Sequence, residues 1–217
     1  GLHFTSLDIR QDSSKHGSTL NSVALQCDSL GVGYAALPDD EKIQRLADVK
    51  PLQRALKLDD EVERDCIDVV KAIKTIQYKN GEEGCNRYII SQCNSALNVM
   101  EVYGLFLLGG WKAEELTVDI VPLFETIEDL QQAASIMKEL YENKTYRQHI
   151  QRRKNNQTIM VGFSDGTKDG GYMMANWSIY KAKEELTALS RLYNIDVVFF
   201  DGRGGPPARG GGKTHKF

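Results

Sequence analysis

The sequence of 217 residues predicts an α/β fold built from consecutive parallel β/α units. Short apolar runs alternate along the chain with longer segments of helical periodicity. The runs are continuously apolar, without the alternation that a half-exposed strand shows, which is typical of parallel strands covered on both faces. Units of this kind occur in an open doubly wound sheet or in part of a (β/α) barrel, and the pattern allows either.

Five apolar runs are predicted to be buried strands because they are short and rich in β-branched or aromatic residues. They cover residues 2–9, 88–91, 118–124, 158–163 and 196–200. The stretches 6–15 and 80–84 are polar and are predicted to be loops.

Four segments between the strands are predicted to be helices. Residues 60–77 carry apolar side chains at spacings of three and four, and residues 96–108 are apolar almost all round, as in a deeply buried helix. Thr126, followed three residues later by Asp129, indicates a capping box at the start of a third helix. Residues 172–192 form the last one. Its core candidates are Trp177, Tyr180, Leu186 and Leu189.

Composition argues against several classes of partner. The net charge of −3 and the pI near 5.9 give no electrostatic reason to expect nucleic acid or an acidic membrane. The four cysteines contain no CxxC pair, and there is neither a signal peptide nor an apolar stretch long enough to span a bilayer. We therefore expect a cytoplasmic protein with no membrane or nucleic-acid partner. Both ends look cut, which suggests a fragment of something larger.

Carboxylates follow two of the predicted strands directly. Glu125 comes after the run 121–124, and Asp165 after the run ending at residue 163 and Ser164. The carboxyl ends of parallel strands open onto one face, so both side chains are expected to meet there. Two hard oxygen ligands without His or Cys suit Mg²⁺ or Mn²⁺, with water and substrate completing the shell. The alternative is that each carboxylate merely caps the following helix.

Four cations surround this predicted metal site: Arg10, Lys168, Arg203 and Arg209. Arginine matches phosphate or carboxylate oxygens and lysine is a movable point charge, so together they favour a di- or tri-anionic substrate. Each could instead pair with a surface acid. His16, close to Arg10 in sequence, is the histidine that could enter the site.

The glycine-rich stretch 202–213 is predicted to be a mobile loop. Its glycines let the backbone approach an anion closely, and its two arginines would bind that anion. Arginine and glycine also dominate RGG-type segments, which bind RNA or other anions. The absence of interleaved aromatic residues disfavours that alternative.

Five motifs occur in one order along the chain, at residues 8–13 with His16, 88–91, 121–130, 162–165 with Lys168 and Asp169, and 202–212 with Arg203 and Arg209. In order and spacing they resemble the phosphoenolpyruvate carboxylase family over essentially all of residues 1–217. The resemblance implies that the chain is part of a TIM-type (β/α) barrel in a larger, helix-rich enzyme.

The resemblance also implies an activity and a set of partners. The family is a carbon-carbon lyase of carbon dioxide fixation that carboxylates phosphoenolpyruvate with bicarbonate, giving phosphate and the tricarboxylic acid cycle intermediate oxaloacetate. It uses Mg²⁺ or Mn²⁺. The full enzyme is expected to be an allosteric homo-oligomer.

The family's site residues carry over position by position. Glu125 and Asp165 resemble the metal ligands, and Arg10 and Arg203 the arginines that hold the phosphate. Lys168 resembles the lysine beside the metal and the bicarbonate. Arg209 resembles the second arginine of the glycine loop, linked to an aspartate-type inhibitor. The catalytic candidates are thus Lys168, Arg203 and Arg209.

Three departures qualify the resemblance. Asp201 stands where the family usually has His, and Lys213 where it commonly has Pro. The Thr-Ala-His-Pro-Thr motif, with the family's catalytic His, does not occur in this sequence. We therefore expect the chain to be inactive alone. The alternative enzyme is another metal-dependent barrel acting on a phosphorylated enol or keto acid.

Overall fold

The computed structural model describes residues 6–54 and 56–202 and contains a parallel sheet of five strands. The strand order follows the chain, β1-β2-β3-β4-β5, and every neighbouring pair is parallel. The strands are β1 Asp8–Asp12, β2 Arg87–Ser91, β3 Asp119–Phe124, β4 Asn156–Gly162 and β5 Asp196–Gly202.

Seven α-helices connect and cover the described strands. None of them is long and apolar enough to cross a membrane. They are α1 Ser13–Gln26, α2 Asp39–Ala47, α3 Glu61–Asn80, α4 Ala96–Leu108, α5 Ile127–Glu142, α6 Lys144–Arg152 and α7 Ser164–Leu192.

The strand order bears on the two architectures that the sequence left open. A doubly wound sheet contains a point at which the order of strands reverses. The described strands run in sequential order without such a reversal, which is how strands succeed one another in a (β/α) barrel. The prediction of consecutive parallel β/α units is confirmed, and the order is consistent with part of a barrel.

The central strands β2 to β4 carry continuous apolar runs because both faces of the sheet are packed there. In β2, Tyr88 and Ile90 belong to the large core formed with the helices. Ile89, between them, points to the other face and packs in a small second cluster with Val121 and Leu123. Burial on both faces gives these strands two apolar sets of side chains, whereas the outer strands β1 and β5 are only partly buried.

Two predicted helix features are confirmed. α4 has the predicted bounds, and all of its residues except Asn98 are buried. At the start of α5, the Thr126 side chain accepts a hydrogen bond from the amide of Asp129 at 3.1 Å, and the Asp129 carboxylate accepts one from the amide of Thr126 at 2.9 Å. This reciprocal pair is the capping box that the sequence indicates.

The start of the chain is predicted correctly only in part. Residues 8 and 9 of the predicted strand lie in β1, but β1 continues to Asp12 and α1 follows at once, so residues 8–15 are not a loop. Asp12 caps α1 by accepting a hydrogen bond from the amide of Ser14 at 2.9 Å. The polar residues read as a loop are the cap and first turn of a helix. Residues 2–5 of the predicted strand lie outside the described residues.

The last predicted helix, residues 172–192, is confirmed as the second part of α7. α7 itself begins at Ser164 and is interrupted at Gly171, which has a positive φ of 78°. Leu186 is buried as predicted and Leu189 is partly buried, but Trp177 and Tyr180 are 60% and 57% exposed and stack on each other. Their placement in the core is wrong, because the helix turns this aromatic face away from the sheet.

Candidate functional site

A cleft of about 290 Å³ lies at the carboxyl ends of the strands. It brings together four residues that the sequence singled out: Arg10, Glu125, Asp165 and Lys168. They come from β1, from the residue after β3 and from the first turns of α7. Parallel β/α units place the ends of separate strands on one face in this way. The remaining lining residues are Leu123, Met160, Gly162, Phe163, Ser164 and Gly202.

Glu125 is the most buried charged group of this cleft, at 8% exposure. Its Oε1 accepts a hydrogen bond from Arg10 Nη2 at 2.9 Å, and its Oε2 accepts one from the backbone amide of Gln92 at 3.1 Å. The capping of α5 falls to Thr126 and Asp129. The alternative in which Glu125 caps the following helix is therefore wrong, and its carboxylate faces the cleft.

Arg10 bridges two strand ends. Its Nε donates a hydrogen bond to Ser91 Oγ at 2.6 Å while its Nη2 binds Glu125. The parallel register of β1 and β2, with Arg10 opposite Ile89, brings the side chain to the end of β2. The Arg10 side chain is 47% exposed, so a ligand in the cleft can reach the guanidinium.

Asp165 and Lys168 form the second charge pair of the cleft. Lys168 Nζ lies 2.7 Å from Asp165 Oδ1, and the side chains are 71% and 40% exposed. Asp165 lies in the first turn of α7, where a carboxylate interacts favourably with the helix dipole. Among the described residues, no side-chain hydrogen bond caps the start of α7, and the hydrogen bond that Asp165 makes is to Lys168 in the cleft.

Gly162 is required by the close approach of β4 to Glu125. A Cβ at this position would lie 3.1 Å from both Cα and Cγ of Glu125. That distance is tighter than ordinary van der Waals contact, so a side chain here would press on the carboxylate. The glycine helps to fix where Glu125 points.

The expectation that His16 could enter the site is wrong. His16 is fully buried on the helix-covered side of the sheet, with Nε2 2.9 Å from Tyr88 Oη. Burial lowers the pKa of His16 to about 4, against the opposing effect of the nearby Asp12 charge. It is a neutral core histidine at neutral pH.

Other predicted site residues fall outside the cleft or outside the described residues. Arg203, Arg209 and most of the loop 202–213 lie outside the described residues. Asp201 is described and pairs with Lys183 of α7 at 2.6 Å, where its side chain is 41% exposed. Asp201 does not line the cleft.

The carboxylates fit a hard divalent cation only in part. Within residues 6–54 and 56–202, no group of three or more His, Cys, Asp or Glu side chains converges on a common point. Two carboxylates facing an open cleft nevertheless suit Mg²⁺, which usually keeps several waters and takes one or two protein carboxylates plus substrate oxygens. Glu125 and Asp165 supply that donor set.

Two contributors to the site were not identified as site residues from the sequence. The Ser91 hydroxyl positions Arg10, and the Gln92 amide holds Glu125. Gln92 has a positive φ of 55°, which turns the chain sharply after β2. Their sequence signal is their position at the end of the predicted strand 88–91. The Ser91 hydroxyl is visible in the residue type, whereas the Gln92 backbone amide is not.

The chain is similar to known proteins along its whole length. The family model of phosphoenolpyruvate carboxylase matches residues 1–217. Proteins named phosphoenolpyruvate carboxylase are similar to the chain: that of Nitrosomonas eutropha is 34% identical over 100% of the chain, and that of Nocardia farcinica 34% identical over 99%. The one from Gloeobacter violaceus is 31% identical over the whole chain.

The chain spans about a quarter of the length of these curated relatives, 24% in each of the three cases. The matches bear out the family that the five motifs indicate. They give no support to an RGG-type module or to a different metal-dependent barrel enzyme.

Proposed function

Because the chain belongs to the phosphoenolpyruvate carboxylase family, we propose that it forms the part of that enzyme that binds the divalent metal and the anionic groups of the substrates. The reaction would be the carboxylation of phosphoenolpyruvate by bicarbonate, giving oxaloacetate and phosphate. The observation that carries the proposal is one cleft at the strand ends lined by two carboxylates and two cations. All four lie in motifs that resemble those of the family.

Each side chain has a role suited to its chemistry. Glu125 and Asp165 would hold Mg²⁺ or Mn²⁺, which when bound stabilises negative charge on the enol oxygen. Arg10 would bind the phosphate, since a guanidinium matches two phosphate oxygens at once. Lys168, exposed and flexible, would bind and orient bicarbonate. Arg203, outside the described residues, would complete the phosphate site.

The first chemical step would be attack of a bicarbonate oxygen on the phosphorus of phosphoenolpyruvate. The bond between phosphorus and the enol oxygen breaks, giving carboxyphosphate and the pyruvate enolate. Carboxyphosphate then separates into carbon dioxide and phosphate, and the enolate carbon attacks carbon dioxide to give oxaloacetate. Arg10 and Lys168 would neutralise the anions from fixed positions, which is where such sites gain most of their rate.

Three further parts of the proposal concern the longer enzyme. We propose that Arg209 contributes to a site for an aspartate-type inhibitor, and that the full enzyme is a homo-oligomer. We also propose that the 217-residue chain makes no oxaloacetate alone, since it does not contain the family's Thr-Ala-His-Pro-Thr motif. Turnover by the isolated chain in a coupled oxaloacetate assay would contradict this last part.

Calorimetric titration of Mn²⁺ into the chain, with and without phosphoenolpyruvate, tests the central proposal. We expect binding that weakens at least about tenfold in both Glu125→Gln and Asp165→Asn, because each change removes a charged ligand. Asp196→Asn is the matched control. It removes an equal charge at the exposed first residue of β5, which lies at the amino ends of the strands, away from the cleft.

Two outcomes would contradict the proposal. Absence of Mn²⁺ binding by the folded wild-type chain would show that these residues do not form a metal site by themselves. An equal loss of affinity in Asp196→Asn would show that the effect comes from overall charge and not from the cleft.

A further inference from the structure

Each carboxylate of the cleft is paired with one of the cations assigned to the substrates. Arg10 lies 2.9 Å from Glu125, and Lys168 lies 2.7 Å from Asp165. The four charges balance, so the cleft as described offers little net attraction to an anion. The groups that would bind the substrate are therefore engaged by the groups that would bind the metal.

We propose that these four residues form a charge-exchange site, in which Arg10 and Lys168 stay bound to the carboxylates until a divalent cation replaces them, and only then bind an anion. This rests on the proposed function, because it takes Glu125 and Asp165 as the metal ligands. What it adds is the means by which metal and phosphate would be coupled, namely the release of Arg10 and Lys168 from their carboxylate partners inside the protein.

The hydrogen bonds of Glu125 support the exchange. Its two oxygens each accept one donor, Arg10 Nη2 on Oε1 and the Gln92 amide on Oε2. The amide is fixed by the backbone, whereas the Arg10 side chain is 47% exposed. When Glu125 binds a cation, Arg10 is the donor that can leave.

Arg10 is held at a second point that limits where it goes. Its Nε donates to Ser91 Oγ at 2.6 Å, so the guanidinium remains over the cleft when the bond to Glu125 opens. Lys168 is more exposed still, at 71%, and its ammonium moves freely on a long side chain. Both cations can thus transfer from a carboxylate to an anion without any change in the fold.

Electrostatics give the exchange its direction. Bringing a divalent cation into the cleft changes its net charge from balanced to positive by two, which matches a phosphate dianion. Coupling between ligands bound at separate positions of one protein typically amounts to a factor of about 5 to 150. By the same reasoning, a mutation that neutralises a carboxylate should free its cation to bind an anion, as a bound metal would. The same mutation removes a ligand of the metal.

The test is binding of inorganic phosphate to the 217-residue chain in the presence of a chelator, measured by calorimetry. We expect Glu125→Gln and Asp165→Asn to bind phosphate roughly fivefold more tightly than the wild type in the absence of metal. We also expect Mg²⁺ to tighten phosphate binding at least about tenfold in the wild type and less than about twofold in both variants.

Asp196→Asn is again the control, since it removes one negative charge far from the cleft and should leave phosphate affinity unchanged at physiological ionic strength. Metal-free affinity that is unchanged or weaker in both cleft variants would overturn the charge exchange, even where the wild type binds Mg²⁺. If instead the proposed function is wrong, the wild-type chain will not bind the metal at all.

Discussion

Arginine–carboxylate pairs occur both where the parallel strands begin, here called the amino edge of the sheet, and where they end, the carboxyl edge. The surroundings of the two pairs differ. At the amino edge, Arg153 donates from Nε to Asp119 at 2.6 Å and from Nη1 to Glu82 at 2.7 Å, with only 14% of its side chain exposed. At the carboxyl edge, Arg10 binds Glu125 at 2.9 Å with 47% of its side chain exposed. Distance alone does not distinguish the two pairs.

The space beside each pair does distinguish them. The cavity next to Arg153 measures about 10 Å³, room for at most one water, whereas Arg10 faces a cleft of about 290 Å³. A pair without adjacent space can only stabilise the fold. One beside an open cleft can change partners, so we assign structure to the amino edge and ligand binding to the carboxyl edge.

The largest expected effect that tests this contrast is on stability. Arg153→Met should lower the free energy of unfolding by about 2–3 kcal/mol, because the substitution removes two charged hydrogen bonds of a largely buried side chain, to Asp119 and to Glu82. Arg10→Met should lower it by about 1 kcal/mol, because Arg10 binds only one carboxylate and Glu125 keeps the hydrogen bond from the Gln92 amide. Urea unfolding of both variants measures the difference.

Equal destabilisation by the two substitutions would remove the distinction between the edges. If the dependence of the unfolding free energy on urea concentration changes in a variant, either the compactness of one state has changed or unfolding is no longer two-state. A second spectroscopic probe then distinguishes these cases.

A smaller effect concerns pH and His149, which lines the small cavity at the amino edge. Burial, reinforced by the charges of Arg152 and Arg153, lowers the pKa of His149 to about 3. The unfolded chain, with a His pKa near 6.5, therefore binds the proton more readily, and this contribution to stability is lost as pH falls from about 6.5 towards 3.

His149→Phe keeps an aromatic ring at this position and removes the titration. Between pH 6 and 5, the wild type should lose about 1 kcal/mol more stability than His149→Phe, since one proton per molecule corresponds to about 1.4 kcal/mol per pH unit. Urea unfolding at the two pH values gives both slopes, and parallel slopes would contradict the assignment. His16, buried in both proteins, contributes equally and cancels.

The smallest effect is expected at Asp201. Its pair with Lys183 is partly exposed and lies against α7, outside the cleft. Asp201→Asn should change stability by no more than about 1 kcal/mol and leave Mn²⁺ affinity unchanged. A marked rise in phosphate affinity would instead show that Asp201 acts on the site.

The elements that the sequence predicted well are those whose signal is local. The apolar runs of β2 to β5, the all-round apolar α4 and the Thr126–Asp129 capping box need no information from distant residues. α1 was missed because its first turn is polar, and its burial against α3 and α4 depends on tertiary packing.

Much of the candidate site could also be predicted, because Arg10, Glu125, Asp165 and Lys168 each follow a strand or end one. Their convergence in one cleft follows from the parallel topology. The pairing of cations with carboxylates could not be predicted, since it depends on the register of β1 on β2 and on the Gln92 amide. The outward orientation of Trp177 and Tyr180 likewise could not be predicted, since it depends on how α7 packs against α5 and the sheet.

The most direct test of the metal site is an anomalous difference map from crystals of the chain grown with Mn²⁺ and phosphoenolpyruvate. We expect the strongest peak in the cleft, bonded to carboxylate oxygens of both Glu125 and Asp165, with Arg10 moved from Glu125 onto the phosphate. A peak at any other place, or Arg10 still bound to Glu125 beside a bound phosphate, would contradict the account.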